Sequence, residues 1–187
     1  MKIRKLAFLS TLFAILLPAL VVATVVISYT YTINVSSTNP EIYLAEGPNY
    51  PTASSLGLIS LSPTPTSNSI TSGTTIAINT VSGSYKTALV NVLEVYNGTS
   101  SSFKYPVYVT LYAPSITGLT MYASISPLTV TNSTSGISIT GTVVSTSSSG
   151  TTFHLTASGG AALYIGFLMT GSASGSANFV INYQINS

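Results

Sequence analysis

One histidine and three glutamates, with no aspartate and no cysteine, are the whole stock of general acids, bases and soft ligands in these 187 residues. Serine-type nucleophilic catalysis needs a base beside the hydroxyl and an acid to orient it. Here the base is limited to His154, in Thr-Thr-Phe-His-Leu-Thr, and the acids to Glu41, Glu46 and Glu94, with no Gly-x-Ser-x-Gly anywhere. A metal cage wants several converging His, Cys or carboxylate ligands, and this set is too small and too dispersed. Glycoside hydrolysis wants two carboxylates at a fixed separation, which the spacing of 41, 46 and 94 does not suggest. The simplest reading makes the glutamates isolated surface acids and His154 an outward-facing strand residue. No catalytic residue, metal site or cofactor is expected. A hydrolase would require one of the glutamates paired with His154 in a deep cleft.

Modification chemistry is better represented. Asn34-Val35-Ser36, Asn97-Gly98-Thr99 and Asn132-Ser133-Thr134 are three Asn-x-Ser/Thr acceptors. Asn97 and Asn132 are expected in loops and Asn34 on the polar side of a strand, so all three are expected to be exposed and open to N-linked glycans. Lys86 and Lys104, with Glu94 and Asn91 nearby in sequence, also permit a Lys-Asn isopeptide, which would need the pair buried beside a carboxylic acid; lysines in strands more often face water.

Only 4% of the residues are charged, against roughly 25% in ordinary soluble domains. Three of the five basic residues, Lys2, Arg4 and Lys5, precede the first apolar run, leaving Lys86 and Lys104 for the rest. Two scattered lysines cannot neutralise a phosphate backbone, so nucleic acid is not an expected partner. Ser and Thr together number 58 and solvate the surface with neutral hydroxyls, while Val, Ile, Leu, Tyr and Phe supply a core that disordered chains lack. With so little to titrate, the fold is expected to tolerate acid.

The elements that carry these residues begin with a leader. Residues 2–5 form a basic segment, 6–17 an apolar run ending at Pro18, and Val21-Val22-Ala23 offers compact residues at a signal-peptidase site. Cleavage after Ala23 is expected, giving 1–23 as signal peptide, contact with the membrane only during export, and a mature extracellular chain. The rival is a retained helix over 6–27, long enough to span a bilayer. It would make the protein a type IV pilin-like subunit or a membrane-anchored surface-layer or adhesin protein. Lys5-Leu6 offers no small residue before a pilin-type cut.

From Thr24 the period changes to two. Val25, Ile27, Tyr29, Tyr31, Ile33 and Val35 share one face, and the intervening residues, Asn34 among them, share the other. The segment 24–38 therefore reads as a long strand, ending in Ser-Ser-Thr-Asn-Pro without a hairpin turn. Residues 39–187 read as an all-β domain, with strands near 42–44, 56–61, 74–79, 85–96, 103–112, 119–125, 137–144, 151–156, 163–169 and 178–185 and no further helix. In the last strand Phe179, Ile181, Tyr183 and Ile185 are expected inward and Val180, Asn182 and Gln184 outward. The chain stops soon afterwards, so no C-terminal sorting signal is expected. Many strands at short spacing imply an antiparallel β-sandwich of immunoglobulin-like or pilin-like type.

A long strand with one apolar face and no local partner is costly in water. It can pair within its own sandwich or be donated to an identical chain, and donation head to tail propagates as a filament. The leader, the strand 24–36, the following Pro-Glu-Ile-Tyr-Leu-Ala-Glu-Gly-Pro-Asn of 40–49 and the Ser/Thr/Tyr-rich body resemble the donor-strand filament subunits of thermophilic archaea, the thread and bundling-pilus proteins. The resemblance lies in layout rather than in a strict motif. It implies a secreted, glycosylated β-sandwich that assembles as a helical homopolymer. In it Val25, Ile27, Tyr29, Tyr31, Ile33 and Val35 would fill a neighbour's groove, and Asn34 would bear a glycan. Adhesion would be a consequence of such a filament.

Overall fold

The computed structural model describes residues 42–67, 69–80, 86–97, 107–134, 136–156, 161–171 and 173–185. All belong to the compact unit Asn39–Ser187. The leader, the segment 24–38 with its six apolar residues and Asn34, and Glu41 and Lys104 lie outside the described residues.

The unit is all-β. Alternation drives it: in the longest strand Leu89, Leu93 and Val95 are buried, while Ala88, Val90, Glu94 and Tyr96 stay partly open. Strands β1 (Ile42–Glu46), β4 (Thr87–Asn97), β6 (Leu119–Ser124), β9 (Thr142–Val143) and β11 (Ala162–Met169) form a five-stranded sheet in the order β1-β4-β11-β6-β9. A three-stranded sheet runs β10-β5-β12, from Thr151–Leu155, Val107–Tyr112 and Val180–Ile185. Two hairpins complete it, β2 (Ile59–Ser62) with β3 (Thr75–Ile78), and β7 (Val130–Ser133) with β8 (Gly136–Ile139). Every pairing is antiparallel.

The core lies between the two larger sheets. Leu93, Val95, Met121, Ala123, Leu163 and Ile165 come from one, and Val107, Val109, Leu111 and Leu155 from the other, all at most 2% exposed. This is the sandwich-like arrangement that the spacing of strands predicts. Neutral hydroxyls link to one another across its surface: Thr110 to Thr152 at 2.8 Å, Thr129 to Thr140 at 2.7 Å, and Ser145 through Ser147 to Ser149 at 2.8 and 2.7 Å.

Four local expectations are corrected. A helix, α1 (Tyr50–Ser55), stands where none is expected; Pro51 fits its first turn, where no backbone donor is needed, and Tyr50 and Ala53 bury its inner side. It displaces the start of β2 from 56 to Ile59, leaving Leu56 exposed in the turn. The strand expected over 137–144 is two strands broken at Gly141, whose φ of +146° favours glycine. The Thr-Asn-Ser run at 131–133, expected as a turn, forms β7 instead, an exposed hairpin arm.

Candidate functional site

Among the described residues the chemically suggestive side chains are not gathered into one place. His154 is exposed on β10, as expected, and its ring lies 4.9 Å from that of Tyr108 at 31°. Glu94 stands on β4, in the other sheet. Glu46 is opposite Leu93 and Glu94 is opposite Ala45, so strand alternation directs the two carboxylates to opposite sides of the sheet. Among the described residues no three His, Cys, Asp or Glu side chains converge as a metal site would require. Glu94 departs from the expected surface acid: it is half-buried, and burial alone raises its carboxyl above the ordinary carboxylate range.

Two of the three acceptor asparagines fall on described residues. Asn132 is exposed, though on β7 rather than in a loop. Asn97 contradicts its expected exposure: β4 runs one residue further than the alternation suggests, Asn97 pairs with Ile42, and its backbone N–H donates to Ala161 O at 3.0 Å. The residue is 0% exposed, so a glycan has no access to it in the folded domain.

Among the described residues Asn91 is engaged by a backbone rather than by a lysine. Lys86 is exposed, while the Asn91 amide donates from Nδ2 to Leu128 O at 2.9 Å and accepts from Leu128 N–H at Oδ1, 2.7 Å. The cause is a register change. Leu89 is opposite Phe167 and Leu93 opposite Ile165, so three residues of β4 span the place of the single Gly166. Asn91 absorbs the excess at a φ of +54°, a conformation asparagine tolerates better than most residues. The exposed backbone groups are met from the segment after β1: Gly47 N–H donates to Val92 O, Asn49 N–H to Asn91 O, and Asn49 Nδ2 to Val90 O, at 2.9, 3.0 and 2.9 Å.

A further concavity lies elsewhere, a groove of ≈ 1150 Å³. The edge of each main sheet contributes to it: Ile42 and Leu44 from β1, and Ile181 from β12, joined by Ile76 and Ile78 of β3 and by Phe179. Among the described residues β12 has a strand neighbour on one side only, β5. Phe179 and Ile181 pack against the core as expected, and Val180, Asn182 and Gln184 are exposed. Tyr183, expected inward, is 41% exposed at the groove, beyond the sealed core; burial of its hydroxyl end pushes the phenol up to about 12. The side chain of Ile185 lies outside the described residues.

Of the two sheet edges beside the groove, that of β1 is already bridged at Leu44, whose carbonyl accepts from Ile70 N–H at 2.7 Å, while that of β12 is not paired among the described residues. The groove exceeds the roughly 300–1,000 Å³ typical of small-molecule clefts and is lined by apolar and hydroxyl side chains without convergent charges. It suits an extended chain better than a compact ligand. Compared with known proteins, the sequence matches no family model and no curated protein.

Proposed function

We propose that the protein is a structural subunit of an extracellular filament, polymerising head to tail by donation of residues 24–36 into the groove of the next copy. The observation that supports this reading is the groove between β1 and β12. An incoming strand can hydrogen-bond to a sheet edge there while alternate side chains enter the apolar wall. The sequence supplies a strand of matching character in Val25, Ile27, Tyr29, Tyr31, Ile33 and Val35. Donation is heterologous, so each subunit offers a strand and accepts one, and the contact does not close on itself. Signal-peptide removal after Ala23 frees the strand, and glycans at Asn34 and Asn132 coat the assembled surface.

The test is the mature N-terminus and sedimentation of material sheared from cells, for the wild type and for Ile27→Asp with Tyr29→Asp. Fibres beginning at Thr24, lost in the double variant while exported monomer persists, are the expected result. A start at Met1 or Leu6 overturns the mechanism in favour of a retained helix over 6–27. Fibres from the double variant overturn it as well.

A further inference from the structure

Four of the twelve tyrosines lie on four successive strands of the five-stranded sheet and on its outer face. Tyr43 of β1 is directly opposite Tyr96 of β4, with ring centroids 5.7 Å apart. Tyr164 of β11 is opposite Glu94, two residues along from Tyr96. Tyr122 of β6 is opposite Gly166, two residues further in the same direction. Their strand neighbours Val95, Leu163, Ile165, Met121 and Ala123 all point into the core, so the tyrosines share the opposite side and are half-exposed. Three strand spacings across and four residues along make a diagonal track about 20 Å long.

Strand propensity alone accounts for tyrosines on a sheet, but not for the carboxylate among them. Glu94 occupies the row of Tyr164 and stands two residues from Tyr96 on the same face. Its strand neighbours are Ala45 and Tyr164, neither a cation. Among the described residues no charge or hydrogen bond compensates its burial. An ionised carboxylate accepts from several donors and donates nothing.

We propose that this track is a binding face for an extracellular neutral polysaccharide, with the tyrosine rings as stacking platforms and Glu94 accepting from a pair of adjacent sugar hydroxyls. Aromatic side chains combine a large apolar face with a polar tip, which suits the C–H faces and hydroxyl rims of pyranose rings. The track accommodates several consecutive sugars rather than one. Its charge selects the polymer: a single unpaired anion repels acidic polysaccharides, and one carboxylate is too little to hold a polycation. Tyr43 also lines the groove, but Tyr96, Tyr164 and Tyr122 do not, so most of this face lies clear of strand donation.

The test is electrophoresis of the full chain through native gels cast with mannan, laminarin or xyloglucan, with poly-L-lysine and alginate gels alongside. Retardation by at least one neutral polymer is expected. Tyr164→Ala and Tyr122→Ala should weaken it about tenfold each, as loss of one stacking platform implies. Glu94→Gln should weaken it several-fold, and Tyr108→Ala, on the other sheet, should leave it unchanged. Tyr164→Phe retains the ring and should bind within about twofold of the parent, which separates loss of stacking from loss of fold. Unchanged mobility in all three neutral gels overturns the proposal, as does retardation indifferent to Tyr164→Ala and Tyr122→Ala, or retardation confined to poly-L-lysine or alginate.

Discussion

The bulge around Asn91 and the groove between β1 and β12 solve opposite problems in the same domain. At the bulge, two surplus residues would leave backbone groups stranded inside a sheet, and each is met by a designated partner: the carbonyls of Val90 and Asn91 by Asn49 and that of Val92 by Gly47, while the Asn91 amide in turn holds the backbone of Leu128. At the groove, the apolar side chains of Ile76, Ile78, Phe179 and Ile181 are brought together and remain only partly buried. Directional bonds fix one register and reject alternatives, because a buried group without its partner is costly. Apolar walls specify little beyond shape and alternation, which leaves them able to receive a chain. The contrast locates the rigid part of the molecule at one place and its capacity for association at another.

The comparison breaks most completely if the shared core is removed. Ile165→Ala empties a position that is 0% exposed beside the bulge, and should cost about 2–5 kcal/mol, measured by chemical denaturation. Gly166→Ala attacks the bulge alone. An added Cβ would come within 2.7 Å of Leu89 O and 3.2 Å of Val90 Cα, backbone atoms that cannot swing aside. A loss of about 1–3 kcal/mol is expected, and an unchanged midpoint would mean that the register shift is more pliable than its geometry. Asn91→Ala leaves the Leu128 N–H and C=O without their amide partner, for an expected loss of about 1–3 kcal/mol at the lower end of the same scale; faster hydrogen exchange at Leu128 should accompany it.

The smallest effect belongs to the groove and is read by pH. Tyr183 has its phenol raised from 10.0 to about 12 by burial, so the folded state holds its proton more tightly than the unfolded one. Its contribution is then fully present below pH 10 and is lost as pH rises from 10 through 12. Phenolate absorbance should show one tyrosine titrating late, and Tyr183→Phe should remove that step. Glu94 follows the same sign at the acid end: a raised carboxyl means that acidification through its pKa relieves a burial cost rather than adding one. Glu94→Gln should accordingly be neutral or slightly stabilising at pH 7, by thermal melting.

Much of the groove's construction was legible in the chain, and little of the bulge. Period-two alternation identified most of the strands, and it placed Phe179 and Ile181 against the core and His154 outside it. Its own rule failed at Tyr183, because alternation gives the side of a strand but not how far the core extends along it. Asn91 read as a candidate for a lysine cross-link, since a positive φ and a register change of two residues depend on a strand far away in sequence, at Gly166. Gly166, inside the apolar run Leu-Tyr-Ile-Gly-Phe-Leu-Met, was the available signal, because a glycine within a strand marks a bulge or a close backbone approach. The helix at 50–55 was too short to display a period. β7 was written in the Ser, Thr and Asn that also make turns, and Asn97 was misplaced by a single residue at a strand end. The tyrosine track could not be read at all, as it exists only once four separated strands are set in register.

The surface hydroxyl pairs, Thr110 with Thr152, Thr129 with Thr140, and Ser145 through Ser147 to Ser149, have a consequence for the surroundings in which such a domain works. Dissolved ions act on proteins chiefly by screening charges over a distance set by the ionic strength, about 8 Å at physiological salt and 3 Å at 1 M. A surface fastened by neutral dipoles offers that screening almost nothing to weaken, so dilute water and brine meet nearly the same molecule.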